Sequence, residues 1–299
     1  MYHGIINIYK EAGYTSHDVV AVLRGILNKK KIGHMGTLDP DAVGVLPVGL
    51  GVGTRLNDML SGGSKEYVAE LYLGVTTDTQ DMSGNILTRH EATQDEEKIK
   101  EAVYSFKGAY EQIPPMYSAI KVNGKKLYEL ARKGQEVERK ARHVQIDEIE
   151  ILKINLPVVQ MRVVCSSGTY IRTLCDDIGK KLGCGAAMKT LQRTRVGSFL
   201  IEDALTLDEV KRLVQDGGLE NNIIPVDAMF PNLRAISVDD VYFKQLQNGN
   251  CLTLEMINES GSFEDGERAR IYSRQGVFFG IYRYEHSTGT FNPVKMFIT

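Results

Sequence analysis

Apolar and polar positions along this chain alternate in short runs and give way, several times, to a repeat of three and four. Residues 4–10, GIINIYK, make a short apolar run of strand length. In YTSHDVVAVLRGILNKKK (14–31), Val19, Val22, Leu23, Ile26 and Leu27 share one helical face, which predicts a helix with Thr15, Ser16 or Asp18 near its N-cap. EYVAELYLGV (66–75) alternates as a strand does, and TTDTQDMSGNI supplies the turn that follows. DEEKIKEAVYSFKG (95–108) reads as a helix, and PVVQMRVVCSSGTYIRTLCDDIGKKLG (157–183) as strand, Ser-Ser-Gly turn and helix. Strands and helices mix without a regular βαβ rhythm, so an α+β fold is predicted rather than a doubly wound sheet.

Two interruptions divide the pattern. YEQIPPMYSAIKVNGKKLYELARKGQEVERKARHVQIDEIEIL (110–152) combines a Pro-Pro pair, an Asn123-Gly124 turn, a short helix and a return to strand, which reads as an excursion from the main body. PVDAMFPNLRAIS (225–237) then places two prolines ahead of short strands such as ARIYSRQGVFFGIYRYE (269–285). The expected division is a main body over 1–233 and a small β-rich unit over 234–299, too short to be a catalytic body.

Composition is that of a soluble globular protein, with 42% hydrophobic and 25% charged residues among 299. No run of eighteen apolar residues and no leader-like start occurs, so a cytoplasmic protein away from membranes is expected. Cys165, Cys175, Cys184 and Cys251 lack Cys-x-x-Cys spacing, which argues against zinc and structural disulfides and for buried reduced thiols at most of them. The net charge of −2 hides a strong polarity. Residues 115–145 carry a net +5, Lys29, Lys30 and Lys31 form a second basic group, and Lys189, Arg193 and Arg195 a third, whereas residues 200–270 carry −8. A basic face of this kind suits a polyanionic partner.

The densest candidate chemistry is GHMGTLDPDAVGVLPVGLGVGT (33–54), whose glycines and prolines punctuate both helix and strand and predict a loop. Asp39 precedes Pro40, which restricts its backbone and suits a presented carboxylate. Asp39-x-Asp41 also fits the nucleophile signature of haloacid-dehalogenase-like phosphatases, but the preceding NKKKIGHMGTL is polar and glycine-broken where that chemistry needs a buried strand. Gly49, Gly51 and Gly53 lack a complete dinucleotide or P-loop pattern, and are read as allowing a tight turn or close packing.

GHMGTLDPDAVGVLPVGLGVGTR resembles the catalytic loop of the TruB family of tRNA pseudouridine synthases. The resemblance extends in order through SKEYVAELYLGVTTDTQDMSG, IPPMYSAIKVNGKKLYELARKG and SSGTYIRTLCDDIGKKLGCGAAMKTLQRTRVGSF, covering most of residues 1–200. One departure is Glu11 in YKEAGYTS, where the family usually has proline. The resemblance implies a pseudouridine synthase fold, with a central, largely antiparallel mixed sheet flanked by helices and a PUA-like C-terminal module. It also implies a cofactor-free and metal-free isomerisation of the T-loop uridine at position 55 of tRNA, in which the base is detached from N1, turned and rejoined through C5.

The same resemblance implies the residue roles. Asp39 would be the catalytic carboxylate, Arg172 its partner, and Tyr67 the aromatic face for the extruded base. Tyr170 and Leu191 would wall the pocket, and His34 would fill the space left by extruded nucleotides. Arg55 would contact phosphate. The excursion at about 108–145, with Lys125 and Lys126, would grip the T-arm, and the C-terminal module would reach the acceptor stem. A monomer with no obligatory protein partner is expected. A non-catalytic RNA-binding protein that keeps the pocket for grip is the alternative from another class.

Overall fold

The computed structural model describes residues 2–60, 62–122, 124–257 and 261–298. Asn123, half of the expected Asn-Gly turn, lies outside them. Strand β1 (Gly4–Lys10) leads into helix α1 (Ser16–Leu27), followed by the short strand β2 (Ile32–His34), strand β3 (Val43–Leu50) and strand β4 (Lys65–Leu73). Of the three candidate caps, Thr15 holds the α1 N-terminus: its side chain accepts from the Asp18 amide while Asp18 bonds back to the Thr15 backbone. The helix stops at Leu27, because Asn28 takes a left-handed conformation, so Lys29, Lys30 and Lys31 lie beyond it.

Among the described residues the main sheet has nine strands. Across it run β1, β3, the strand Ala186–Val196, β4, the strand Val158–Cys165, the strand Arg142–Asn155 and the edge strand Gly108–Gln112, with β2 and Phe199–Leu200 attached. Every pairing is antiparallel except that of β3 with Ala186–Val196. The predicted α+β class and largely antiparallel mixed sheet are therefore what the chain forms. Alternation does the sorting: Tyr67, Ala69, Leu71 and Leu73 of β4 and Val159, Met161, Val163 and Cys165 face one core, covered by the helices Glu96–Tyr104 and Ile171–Leu182. Ile6 and Ile8 of β1 face a second core under α1 and the helix Leu207–Gln215. Each such aliphatic side chain, fully buried, contributes roughly 1.5–3 kcal/mol.

One expectation fails in part. Residues 33–54 are not a loop throughout, since Val43–Leu50 is a buried strand inside the sheet. Pro47 is tolerated because of where it faces. Its carbonyl accepts from the Met35 amide, so its missing N–H points to the flank where pairing to Gln192 and Arg193 has ended and pairing to β2 has not begun. Gly44 adopts φ +107, and a Cβ there would lie 2.2 Å from the Arg193 carbonyl oxygen. Glycine is what allows the parallel strand so close. The true loop is shorter, from Met35 to Ala42.

Edge strand Gly108–Gln112 and the start of Arg142–Asn155 belong to the main sheet, so the excursion proper lies between them. It holds a hairpin of Lys121–Val122 with Lys125–Lys126 and the short helix Leu127–Ala131. The C-terminal sheet begins at Arg234 and, among the described residues, has five strands around its own core of residues such as Ile236, Ile271 and Phe291. It is fastened to the main body by apolar contact of Ile281 and Phe297 with Ile5, Val45 and Val226. Tyr272 Oη donates to Asp227 Oδ2 at 2.8 Å across the same seam. Cys165, Cys175 and Cys184 are buried free thiols and Cys251 is exposed. Among the described residues no helix is long and apolar enough to cross a membrane.

Candidate active site

The loop from Met35 to Ala42 buries Met35, Leu38 and Ala42, and side chains from distant elements tie its backbone. Ser16 Oγ, at the start of α1, accepts from the Leu38 amide at 2.9 Å, and the Gly13 amide donates to the Pro40 carbonyl at 3.0 Å. Two buried cations do the rest. Lys10 at the end of β1 donates to the carbonyls of Glu11, Pro40 and Ala42 at 3.0, 2.9 and 2.7 Å. Arg193 donates to the carbonyls of Val45, Thr37 and Gly36 at 2.7, 3.3 and 3.2 Å. A buried charge with few hydrogen bonds would be costly, and here each is met by three carbonyl dipoles of the loop and its flanking residues. Burial brings the Lys10 ammonium down to about 8, although nearby Asp41 and Asp39 oppose it.

Asp39 leaves this tethered loop toward Arg172, on the first turn of the helix Ile171–Leu182. Arg172 Nε lies 3.0 Å from Asp39 Oδ2 and Nη2 lies 3.0 Å from Oδ1, a two-pronged pair. Its remaining N–H groups reach the Tyr117 carbonyl at 3.0 Å, the Thr79 carbonyl at 3.2 Å and Asp81 Oδ2 at 3.4 Å. All five donors are used. The guanidinium side chain is only 7% exposed while the Asp39 side chain is 36% exposed, so the carboxylate alone is presented to an incoming molecule. Burial raises the Asp39 carboxyl above the ordinary aspartate value; Arg172 and Lys10 oppose that shift and Asp81 and Asp41 add to it.

Tyr67, Leu191, Leu38, Ala42 and Ile171 belong to one buried cluster beneath the loop. Burial raises the Tyr67 phenol above its usual value, with the adjacent Arg193 pulling the other way, so it stays protonated at neutral pH. Tyr170 is the N-cap residue of the arginine-bearing helix. Gln112 clamps it, accepting from the Tyr170 amide at 2.7 Å and donating to its carbonyl at 3.0 Å. His34, at the end of β2, has its Nε2 3.4 Å from His17 Nδ1, and its own Nδ1 is buried without a hydrogen-bond partner. Burial lowers it to about 4, with His17 and Arg193 adding to the shift, which leaves it neutral.

The other expected contacts lie elsewhere. Arg55 is tied to the C-terminal sheet through a 2.9 Å bond from Nη1 to the Met296 carbonyl. Lys125 is exposed on the hairpin, and Lys126 donates to Tyr128 Oη at 3.2 Å and sits over its ring. The third basic group is not one surface. Lys189 pairs with Glu70, Arg195 bonds Ser64, and Arg193 is fully buried, so the charge count mistook an internal tether for a phosphate contact.

Lys10, Asp81 and Gln112 were also missed as site-building residues. Asp81 sits in the turn TTDTQDMSG, held by Thr79 Oγ1 at 2.7 Å and the Ser83 amide at 3.1 Å. The turn was legible, but not that it faces an arginine 91 residues away.

The chain is similar in sequence and in fold to known proteins. The family profile described as TruB family pseudouridylate synthase (N terminal domain) matches residues 24–171, and that of the tRNA pseudouridylate synthase B C-terminal domain matches residues 172–231. The tRNA pseudouridine synthase B of Alkaliphilus oremlandii is 47% identical over 95% of this chain and 94% of its own. The chain belongs to the TruB family of pseudouridylate synthases. The protein of the same name from Lachnoclostridium phytofermentans is 48% identical over 99% of this chain and all of its own. Among solved structures, a Cbf5-Nop10-Gar1 complex matches with a TM-score of 0.72 at 29% identity, over 99% of this chain and 85% of that one. An H/ACA RNP bound to a substrate RNA containing 2'-deoxyuridine matches with a TM-score of 0.71 at 27% identity, over 99% of this chain and 86% of that one. The nine-stranded sheet takes in strands from both family profiles, including Ala186–Val196 from the second.

Proposed function

We propose that this TruB-family protein is a tRNA pseudouridine synthase acting on the T-loop uridine at position 55, with Asp39 as the catalytic carboxylate. The observation that carries the reading is the two-pronged Arg172–Asp39 pair, closed on the arginine side and open on the aspartate side. Isomerisation breaks the N1–C1′ bond, turns the base and forms a C5–C1′ bond; C5 gives up its proton and N1 gains one, so the formula of the nucleoside is unchanged. It calls for an ionised carboxylate held at a defined place beside the sugar and base. Arg172 holds the charge, while Lys10 and Arg193 hold the backbone that carries it. Tyr67 and Leu191 supply the apolar floor on which a flipped uracil can stack. The exposed lysines of the excursion supply phosphate contacts, and the names of the curated relatives support tRNA as the RNA concerned. The main body is taken as 1–233 and the C-terminal sheet as a PUA-like unit.

The test is tritium release from unmodified tRNA labelled at uracil C5, in EDTA, with Asp39→Asn alongside. Release by the wild type alone, with tRNA still bound by the variant, is the expected result. Release by Asp39→Asn at a rate near wild type would refute the assignment. Tight binding with no release by either protein would favour an RNA-binding role without catalysis.

A further inference from the structure

A cavity of about 530 Å3 opens between the main body and Ile298, just past the chain's final strand, and none of Asp39, Tyr67 and Arg172 lines it. Its volume is that of a small-molecule site. Lys29, Lys30, Lys31 and Arg55 line its polar side, and Tyr2, Val52 and Ile298 its apolar side. Among the described residues no acidic side chain lines it and none forms an ion pair with these three lysines. The charged side chains that line the cavity are thus all cationic, which suits an anionic ligand.

The cavity's floor is well defined. The Gly51 amide donates to the Lys31 carbonyl at 2.8 Å, and the Val52 amide donates to His3 Nδ1 at 3.3 Å, which fixes the tautomer with its proton on Nε2. Gly51 has φ +58, and a Cβ there would come within 2.4 Å of His3 Nδ1 and 3.1 Å of Lys29 Cε. The absent side chain leaves His3 and Lys29 their places in the wall. Burial lowers the His3 imidazole, and Lys29 and Lys31 lower it further, so His3 stays neutral and keeps an N–H to donate.

We propose that this cavity binds a nucleoside monophosphate unit, its phosphate among Lys29, Lys31 and Arg55 and its base against Tyr2 and Val52. The mixture of cations and apolar wall is what distinguishes this from a plain phosphate surface, because it can bury a flat base as well as neutralise a charge. The unit can come from a free nucleotide or from the unpaired end of an RNA; the second source rests on the tRNA reading above.

The experiment titrates AMP and adenosine into the full-length protein and into Lys29→Gln/Lys31→Gln, and measures binding of tRNA with its unpaired 3′ end intact or trimmed blunt. AMP is expected to bind the wild type more tightly than adenosine does and to weaken about tenfold in the variant. Selective weakening of the intact tRNA, with a salt slope shallower by about 1.4 for two lost single-strand phosphate contacts, identifies the RNA end as the source. Loss of AMP binding with both RNAs unaffected identifies a free nucleotide. Equal weakening of both RNAs, or no difference between AMP and adenosine together with unchanged tRNA binding, overturns the proposal. A Tyr2→Ala variant, which leaves the cations in place, is expected to weaken AMP but not inorganic phosphate. Failure of the tRNA reading shows separately, as absence of tritium release by the wild type.

Discussion

Replacing Arg172 by lysine keeps the positive charge beside Asp39 and removes the fork that holds it. The arginine meets five acceptors: both Asp39 oxygens, Asp81 Oδ2 and the carbonyls of Thr79 and Tyr117. An ammonium has three donors on one atom, so at least two of the five go unmet. A buried acceptor left without a donor costs about 1–3 kcal/mol, and the partial exposure of Asp39 lets water recover some of that, so the sum is about 2–4 kcal/mol. If about 2 kcal/mol of it falls on the positioning of Asp39 in the transition state, the chemical step slows roughly 30-fold. Single-turnover tritium release with enzyme in excess isolates that step from binding and product release. A denaturation curve on the same variant separates the stability share. Asp81→Asn, alone and combined with Arg172→Lys, completes a cycle in which the two effects are expected to be non-additive, because both act through one guanidinium. A single-turnover rate within about threefold of wild type for Arg172→Lys would refute the account of the fork as the positioning element.

Other perturbations check other parts of the argument. Because the proposed mechanism uses an ionised Asp39 and its carboxyl lies above the ordinary aspartate value, activity is expected to fall on acidification before an ordinary aspartate would protonate. Removing the opposing charge with Arg172→Gln moves that acid limb to higher pH; an unmoved limb in the single-turnover pH profile would count against Asp39 as the titrating group. Lys125→Glu with Lys126→Glu is expected to weaken tRNA binding and flatten its salt dependence by about two in slope, and an unchanged slope takes the hairpin out of the interface. Arg193→Met leaves the carbonyls of Gly36, Thr37 and Val45 without their donor, offset in part by removing a buried charge. A loss of roughly 2–3 kcal/mol in urea unfolding, together with a slower single-turnover rate, is expected, and unchanged values of both would show that the loop stands without this tether.

Much of the architecture is local and therefore written along the chain. The alternation in β4 and in Val158–Cys165 requires a sheet with one buried face, the helical repeat from Val19 to Leu27 requires α1, and Thr15 with Asp18 sets where that helix begins. The aspartate before a proline, and its place in a motif shared with a family, were likewise legible; the resemblance also singled out Arg172, which the fold brings to Asp39, and Tyr67, which it buries in the cluster with Leu38 and Ala42. What the chain by itself could not decide depends on partners distant in sequence. Residues 43–50 read as a loop because glycine and proline weaken an isolated strand. They form one because β1, β2 and the strand Ala186–Val196 surround them and place Gly44 and Pro47 where a missing side chain and a missing N–H do no harm. Arg193 and Lys10 read as surface charge or were passed over, since charge in a sequence carries no direction; only packing turned them inward onto the carbonyls around Asp39. Asp81 and Gln112 gained their roles in the same way, by tertiary proximity to Arg172 and Tyr170. Local hydrophobic periodicity thus chose the elements, while long-range hydrogen bonding to buried charges set the position of the Asp39 carboxylate.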